Sequence, residues 1–121
     1  MDCTIDKAVV AAIKAAGIAC YCDEADFDGI EQAPSAFAVY NLEVSEQRVK
    51  DGVCRLAGQL LLNIFSAESA DGQSAKDKIK PTIESALSVA PYHKELTSEI
   101  TYCNEGVWQF HLEYNVREEI N

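Results

Sequence analysis

The densest group of residues that could do chemistry is the acidic segment Asp23-Glu24-Ala25-Asp26-Phe27-Asp28-Gly29. Counted from Glu24, acids occupy positions 1, 3 and 5 and glycine occupies position 6. That spacing is typical of a calcium loop, in which carboxylate oxygens surround the ion and glycine makes the turn. The twelfth position is Ser35 instead of a bidentate glutamate, and neither flank has the pattern of an EF-hand helix. We interpret residues 23–31 as a solvated acidic loop and leave cation binding open.

The cysteine and histidine residues do not form a recognisable metal-binding or redox motif. The chain has five cysteines, which is an odd number. The first residues are acidic, so we expect no signal peptide. Both observations predict free thiols instead of disulfides. In a strand Cys20 and Cys22 share one face, as two buried small residues would. A zinc site needs four ligands with paired spacings, and neither His93 nor His111 has a partner at such a spacing. We predict no metal site and no cofactor.

Motifs for catalysis are missing from the sequence. It contains no GxSxG, no glycine-rich phosphate loop and no HExxH. The carboxylate pair Glu118-Glu119 is interpreted as a solvated end of the chain. The prediction is therefore that the protein is not an enzyme.

The composition predicts one globular domain, residues 1–121, with 48% apolar and 25% charged residues. No apolar run is long enough to span a bilayer, so no membrane association is expected. The net charge of -10 argues against a surface that grips phosphates, which needs clustered Lys and Arg.

Hydrophobic periodicity predicts an α+β fold with a mostly antiparallel sheet and both helices packed on one of its faces. Helical spacing covers residues 5–16 and a second stretch from Ser69 to Leu87, in which Pro81 predicts a kink or a late start. Strands are predicted at 18–22, 36–44, 53–65 and 98–117, the last a hairpin turning near Asn104-Glu105-Gly106. Residues 45–52 and 89–97 are predicted connections, and the flanking strands can extend partway into the first of them. Gly58 is predicted to be a bulge or a close-packing point. The order is α-β-β-β-α-β(β).

The final strand has two different faces. Trp108, Phe110, Leu112, Tyr114 and Val116 point one way, whereas the alternate residues from Gln109 to Arg117 are polar. A polar face with few charges can pair with a neighbouring subunit, and a plain solvent-facing strand is the alternative. The candidate interface residues, from this face and from the polar connection, are Gln47, Arg48, Lys50, Gln109, His111, Glu113 and Asn115.

Element order and strand texture resemble the tail terminator and tail completion (head–tail joining) proteins of long-tailed phages, including prophage-encoded members. The resemblance lies in the proline and aromatic strand of residues 33–40, in the long central strand of residues 58–66 and in the closing strand of residues 108–116.

This resemblance implies a structural protein that forms a ring, commonly a hexamer, which caps the tail tube and joins it to head-completion proteins. It implies assembly in the bacterial host cytoplasm, a place in the virion tail, and passage of DNA through the channel without specific binding. The alternative is a small cytoplasmic α+β interaction or ligand-binding protein of bacterial origin. A ring-sized mass would favour the first interpretation and a concave apolar pocket the second.

Overall fold

The computed structural model describes residues 4–22, 35–48 and 54–120. The segments with helical and alternating hydrophobic patterns form two helices and five strands in it. These elements confirm the predicted α+β class and the predicted order, with the last β as a hairpin. Their bounds are α1 Thr4–Ala15, β1 Ala19–Cys22, β2 Ala36–Arg48, β3 Cys54–Ser66, α2 Ser69–Ala86, β4 Tyr92–Asn104 and β5 Val107–Ile120.

The described strands form one sheet in the order β1-β2-β3-β5-β4. Strand β1 runs parallel to β2, and the other three pairs are antiparallel. The β4–β5 hairpin turns at Glu105 and Gly106, whose φ angles are 52° and 79°. Two successive positive φ angles are the mark of a type I′ turn, whose twist suits a two-residue hairpin. The predicted turn is confirmed.

Both helices pack on one face of the sheet and enclose the core, as predicted. Every second residue of β2, β3 and β5 enters this core, where it meets the apolar stripes of α1 and α2. The fully buried large side chains include Ile5, Ile13, Leu60, Leu62, Ile64, Ile79, Ile83, Leu87, Phe110, Leu112 and Tyr114. Apolar burial of this kind is the main force that holds helices to sheet.

Gly58 marks a close approach of two strands. The β2–β3 register continues without interruption through Val44 opposite Gly58, so no bulge is present there. A Cβ atom at Gly58 would lie 1.8 Å from the carbonyl oxygen of Glu43. Because that distance is far below van der Waals contact, the site requires glycine, and close packing is the correct one of the two predicted roles.

Two predicted boundaries lie at other residues in the structure. Strand β2 runs on to Arg48, so the first half of the predicted 45–52 connection is strand. Strand β4 begins at Tyr92, inside the predicted 89–97 loop. All of residues 45–48 are polar, and most of residues 92–97 are polar as well. The alternation of apolar and polar residues that marks a strand is therefore hard to see in both stretches. Helix α2 begins at Ser69 and contains Pro81, which is exposed, so a start of the helix at this proline was the wrong one of the two predicted effects. In the described ranges no helix has the length and apolar character that crossing a membrane requires.

Candidate assembly surface

The face of the sheet turned away from α1 and α2 is the candidate functional surface, and we call it the open face. Strand register arranges its side chains in rows that cross β2, β3, β5 and β4. Two neighbouring rows, with the adjoining residues of β1, carry no charged side chain when histidine is neutral. We call them the neutral end, which consists of Ala19, Phe37, Phe65, Gln109 and Tyr102 in one row and Tyr21, Val39, Asn63, His111 and Ile100 in the next.

Aromatic rings pack together at the β1–β3 side of the neutral end. The Tyr21 and Phe37 rings meet edge to face with centroids 6.0 Å apart, and the Phe37 and Phe65 rings stack at 5.5 Å. Such pairs contribute beyond the area they bury. Phe37 is only 6% exposed in consequence, although it points away from the helices. On the β4 side Ile100 and Tyr102 are 51% and 44% exposed.

The centre of the neutral end is a small hydrogen-bonded group. Gln109 donates through Nε2 to Asn63 Oδ1 over 2.7 Å, and His111 Nδ1 lies 2.7 Å from the same oxygen. Because an amide oxygen can only accept, a hydrogen bond between these two atoms requires a proton on His111 Nδ1. Three polar atoms of the centre, Gln109 Nε2, Asn63 Oδ1 and His111 Nδ1, thus already have partners within the chain. A surface whose polar groups are satisfied loses little when a partner covers it.

The opposite end of the open face holds ion pairs, and we call it the charged end. Arg55 donates through Nε to Gln47 over 3.1 Å, and its guanidinium lies 3.9 Å from Glu119. Arg117 Nε lies 2.8 Å from the same Glu119 carboxylate. A concavity of about 480 Å³ lies here, between these side chains and the start of β4 around His93. Partly exposed ion pairs contribute little to stability, and they keep this end solvated.

The predicted interface residues fall on both ends of the open face. Gln109 and His111 lie in the neutral end, whereas Gln47 and Asn115 lie in the charged end. Glu113 stands in the row between the two ends, with its carboxylate 3.9 Å from His111 Nε2. Arg48 is the last residue of β2, and only its backbone is described. Lys50 lies outside the described residues, as does the acidic segment 23–31.

Sequence reasoning missed the apolar half of the neutral end. Val39 and Phe65 alternate with core residues in strands that were correctly predicted, so their direction could have been read from the two-residue period. Ile100 and Tyr102 lie two residues apart in β4 and therefore share one face, although the residues that alternate with them are exposed. What the sequence did not show was that register would bring these residues of different strands into the same two rows.

Glu118 is not a solvated chain end, as had been expected. It is 6% exposed and accepts hydrogen bonds from the Ile5 N–H at 3.1 Å and from the Thr4 hydroxyl at 2.6 Å. The Tyr92 hydroxyl in turn donates to Thr4 over 2.8 Å. The carboxylate of β5 therefore caps the first turn of α1, where unpaired N–H groups and the helix dipole favour negative charge.

Among the thiols and phenols of the described residues, those that are buried contribute to packing and hydrogen bonding. Cys20, Cys22 and Cys103 are free, as predicted. Cys20 packs against the core and burial raises its pKa to about 11, so its sulfur is a thiol and a poor nucleophile. Cys22 is exposed, so the prediction of burial was wrong for that residue. Burial also raises the pKa of Tyr40 and of Tyr114, whose hydroxyls donate to Asp6 and Glu84.

Within the described ranges no three His, Cys, Asp or Glu side chains lie close enough to hold a metal ion.

The fold is similar to that of a chain in a solved structure described as the virion of a native gene transfer agent (GTA) particle. The TM-score is 0.58 at 12% sequence identity, and the match covers 96% of this chain and 92% of that chain. No protein-family model and no curated protein matches the sequence. The likeness therefore shows a shared fold over nearly the full length of both chains.

Proposed function

We propose that this protein is a structural subunit of a phage-like particle. The observation that supports this proposal is the likeness to a chain of the gene transfer agent virion, which extends over 96% of this chain. A match of that coverage concerns the whole domain and not a common supersecondary motif. It agrees with the resemblance to phage tail proteins that element order and strand texture had already indicated.

Within that class, we propose a tail terminator or tail completion role in which copies of the chain form a ring, with six copies the expected number. The open face supports such assembly. Depletion of charge and enrichment in aromatic residues distinguish the centre of protein interfaces, and the neutral end has both properties. In a chain of net charge -10, copies repel one another least where no charge is present.

The ring would cap the tail tube and meet head-completion proteins on its other side. Its acidic character suits a channel through which DNA passes without binding, since binding of DNA relies on Lys and Arg contacts to phosphate. The charged end, with its partly exposed Arg55, Arg117 and Glu119, is the part of the open face suited to solvent or to a polar contact with these proteins.

A second function, small-ligand binding, has the concavity of the charged end in its favour. Arg55 and Arg117 beside it could hold an anionic group. Both arginines already share the carboxylate of Glu119, however, and most residues of the walls are polar. Ligand pockets are mostly apolar with a few placed polar groups, so the assembly role fits this surface better.

The first experiment is the mass in solution by light scattering over a range of protein concentration, followed by electron microscopy of the largest species. The structure offers a matched pair of variants, Val39→Lys in the neutral end and Ser45→Lys in the charged end. Both lie on the open face of β2 and add the same charge. We expect Val39→Lys to abolish the ring-sized species and Ser45→Lys to leave it intact.

Equal assembly of the two variants would contradict the use of the neutral end as the contact. A chain that stays monomeric at every concentration and binds a small anion would favour the ligand-binding alternative. A closed ring in the micrographs would support the tail role, and the number of subunits could then be counted directly.

A further inference from the structure

Strand β4 presents a long edge at the end of the described sheet, beyond β5. Residues from Glu99 to Asn104 are all exposed. Natural proteins protect such edges with charges, proline or bulges, because an unpaired row of backbone N–H and C=O groups recruits another strand. Between Ser98 and Asn104 the sequence has no proline and one charged residue, Glu99.

That single charge is turned toward the helix and does not guard the edge. Glu99 lies on the helix-covered side of β4, where Lys80 Nζ and Lys76 Nζ are 2.9 Å and 3.0 Å from its two carboxylate oxygens. The hydrogen bonds from Lys80 and Lys76 lower the pKa of Glu99. The carboxylate is thus held against α2, and the edge beside it is left without a repelling charge.

The regular part of this edge has defined limits. At one end the β4–β5 register shifts between Leu96 and Ser98, and the extra residue, Thr97, donates its hydroxyl to the Glu113 carbonyl over 3.1 Å. At the other end the strand stops at Asn104, before the turn. The segment from Ser98 to Asn104 therefore has its midpoint at Thr101.

We propose that β4 pairs edge to edge, antiparallel, with β4 of a second copy of this chain, with the two-fold axis at Thr101. In this register Thr101 faces Thr101, and Ile100 of each copy faces Tyr102 of the other. Those two residues are the large apolar side chains that β4 leaves most exposed, at 51% and 44%. Aromatic and β-branched residues are favourable cross-strand pairs.

A second copy suits this edge because the register places the one charged residue, Glu99, opposite Cys103 of the other copy, and Ser98 opposite Asn104. Ile100 and Tyr102 of one copy cover Tyr102 and Ile100 of the other. No two residues of like charge face each other at the centre of the edge. The contact also differs from the one proposed for the ring, because the backbone edge of β4 makes it, although Ile100 and Tyr102 belong to the neutral end as well. A two-fold contact closes after two copies, so it would join two subunits or two rings. Its variants lie on β4 and can be separated from those of β2.

Charge complementation at Thr101 tests the register. Its side chain lies on the helix-covered side of β4, so a substitution there does not touch the open face. We expect Thr101→Lys and Thr101→Glu each to weaken the dimer by about fivefold or more, since like charges then face each other. A mixture of the two variants is expected to restore association, and Thr101→Ser is the control that keeps it. Sedimentation equilibrium gives the dissociation constants.

Disulfide trapping adds a geometric test. In a Cys103→Ser background, Thr101→Cys places two thiols on residues that face each other, with Cα atoms about 4.5–5.5 Å apart, which a disulfide can span. Ser98→Cys is the matched control, because its two copies would lie six residues apart, about 20 Å along the strands. We expect oxidation to yield a covalent dimer of the first variant only.

Two results would overturn the proposal: equal trapping of the two cysteine variants, or a dimer that Thr101→Lys and Thr101→Glu leave unchanged. Val39→Lys separates this contact from the ring. If Val39→Lys abolishes the larger assemblies while the dimer persists, the result supports both the open-face contact of the ring and the β4 pair. If it has no effect while Thr101→Lys dissociates the dimer, the open-face contact fails and the β4 pair remains.

Discussion

The two faces of the sheet use the same strands for different purposes. On the helix-covered face Leu60, Leu62 and Ile64 are fully buried. On the open face their neighbours Leu61 and Asn63 remain partly exposed beside polar and aromatic residues of β2 and β5. Since successive side chains point to opposite sides of a strand, one set of residues can stabilise the fold while the other stays available for contacts. The comparison predicts that substitutions on the two faces separate stability from assembly.

The largest expected effect comes from adjacent leucines of β3. Leu62→Ala leaves a cavity in the core and is expected to lower the free energy of unfolding by about 2–5 kcal/mol. Leu61→Ala removes a half-buried side chain from the open face, where no closed cavity forms, and is expected to cost below about 1.5 kcal/mol. Urea denaturation of both variants measures the difference. Equal losses would show that the open face is packed as a second core.

A smaller effect is expected at the polar contact between α1 and β5. Glu118→Ala removes the acceptor of the Ile5 N–H and the Thr4 hydroxyl, which we expect to lower stability by about 1–3 kcal/mol. Its neighbour points to the other face and pairs with partly exposed arginines, so Glu119→Ala is expected to cost at most about 1 kcal/mol. Thermal unfolding with hydrogen exchange of the α1 amides measures both. Similar values for the two variants would rule out a capping role.

The difference between the faces also explains what could be predicted from sequence. Strand β5 alternates strictly from Trp108 to Arg117, so its core side and its polar side were both predicted correctly. The start of β4 was missed because His93, Lys94 and Glu95 are polar in succession. An alternation of apolar and polar residues arises when one face of a strand is buried. A strand whose first residues are polar on both faces shows no alternation, so it cannot be predicted in this way.

Contacts between distant residues could not be predicted at all. Glu118 meets Ile5 across 113 positions of sequence, and a terminal glutamate pair has the composition of a solvated end. For the candidate surface, Gln109 and His111 were predicted from β5 alone. Val39 and Ile100 join them only through the registers of β2–β3 and β4–β5. A single strand's pattern says which face a residue occupies, and pairing between strands decides its neighbours.

The smallest expected effect concerns Glu99, which fixes the edge strand to α2. Because Lys80 and Lys76 lower its pKa, Glu99 contributes stability above its ordinary pKa of 4.5, and the contribution disappears as the pH falls through the lowered value. Glu99→Gln is therefore expected to lose less than about 1 kcal/mol at pH 7, and to lose less at pH 2 than at pH 7. Glu95→Gln, on the open face of the same strand, controls for the change in net charge. Urea denaturation at the two pH values measures both variants, and a Glu99→Gln deficit that persists undiminished at pH 2 would mean that packing, not the ion pairs, holds this edge.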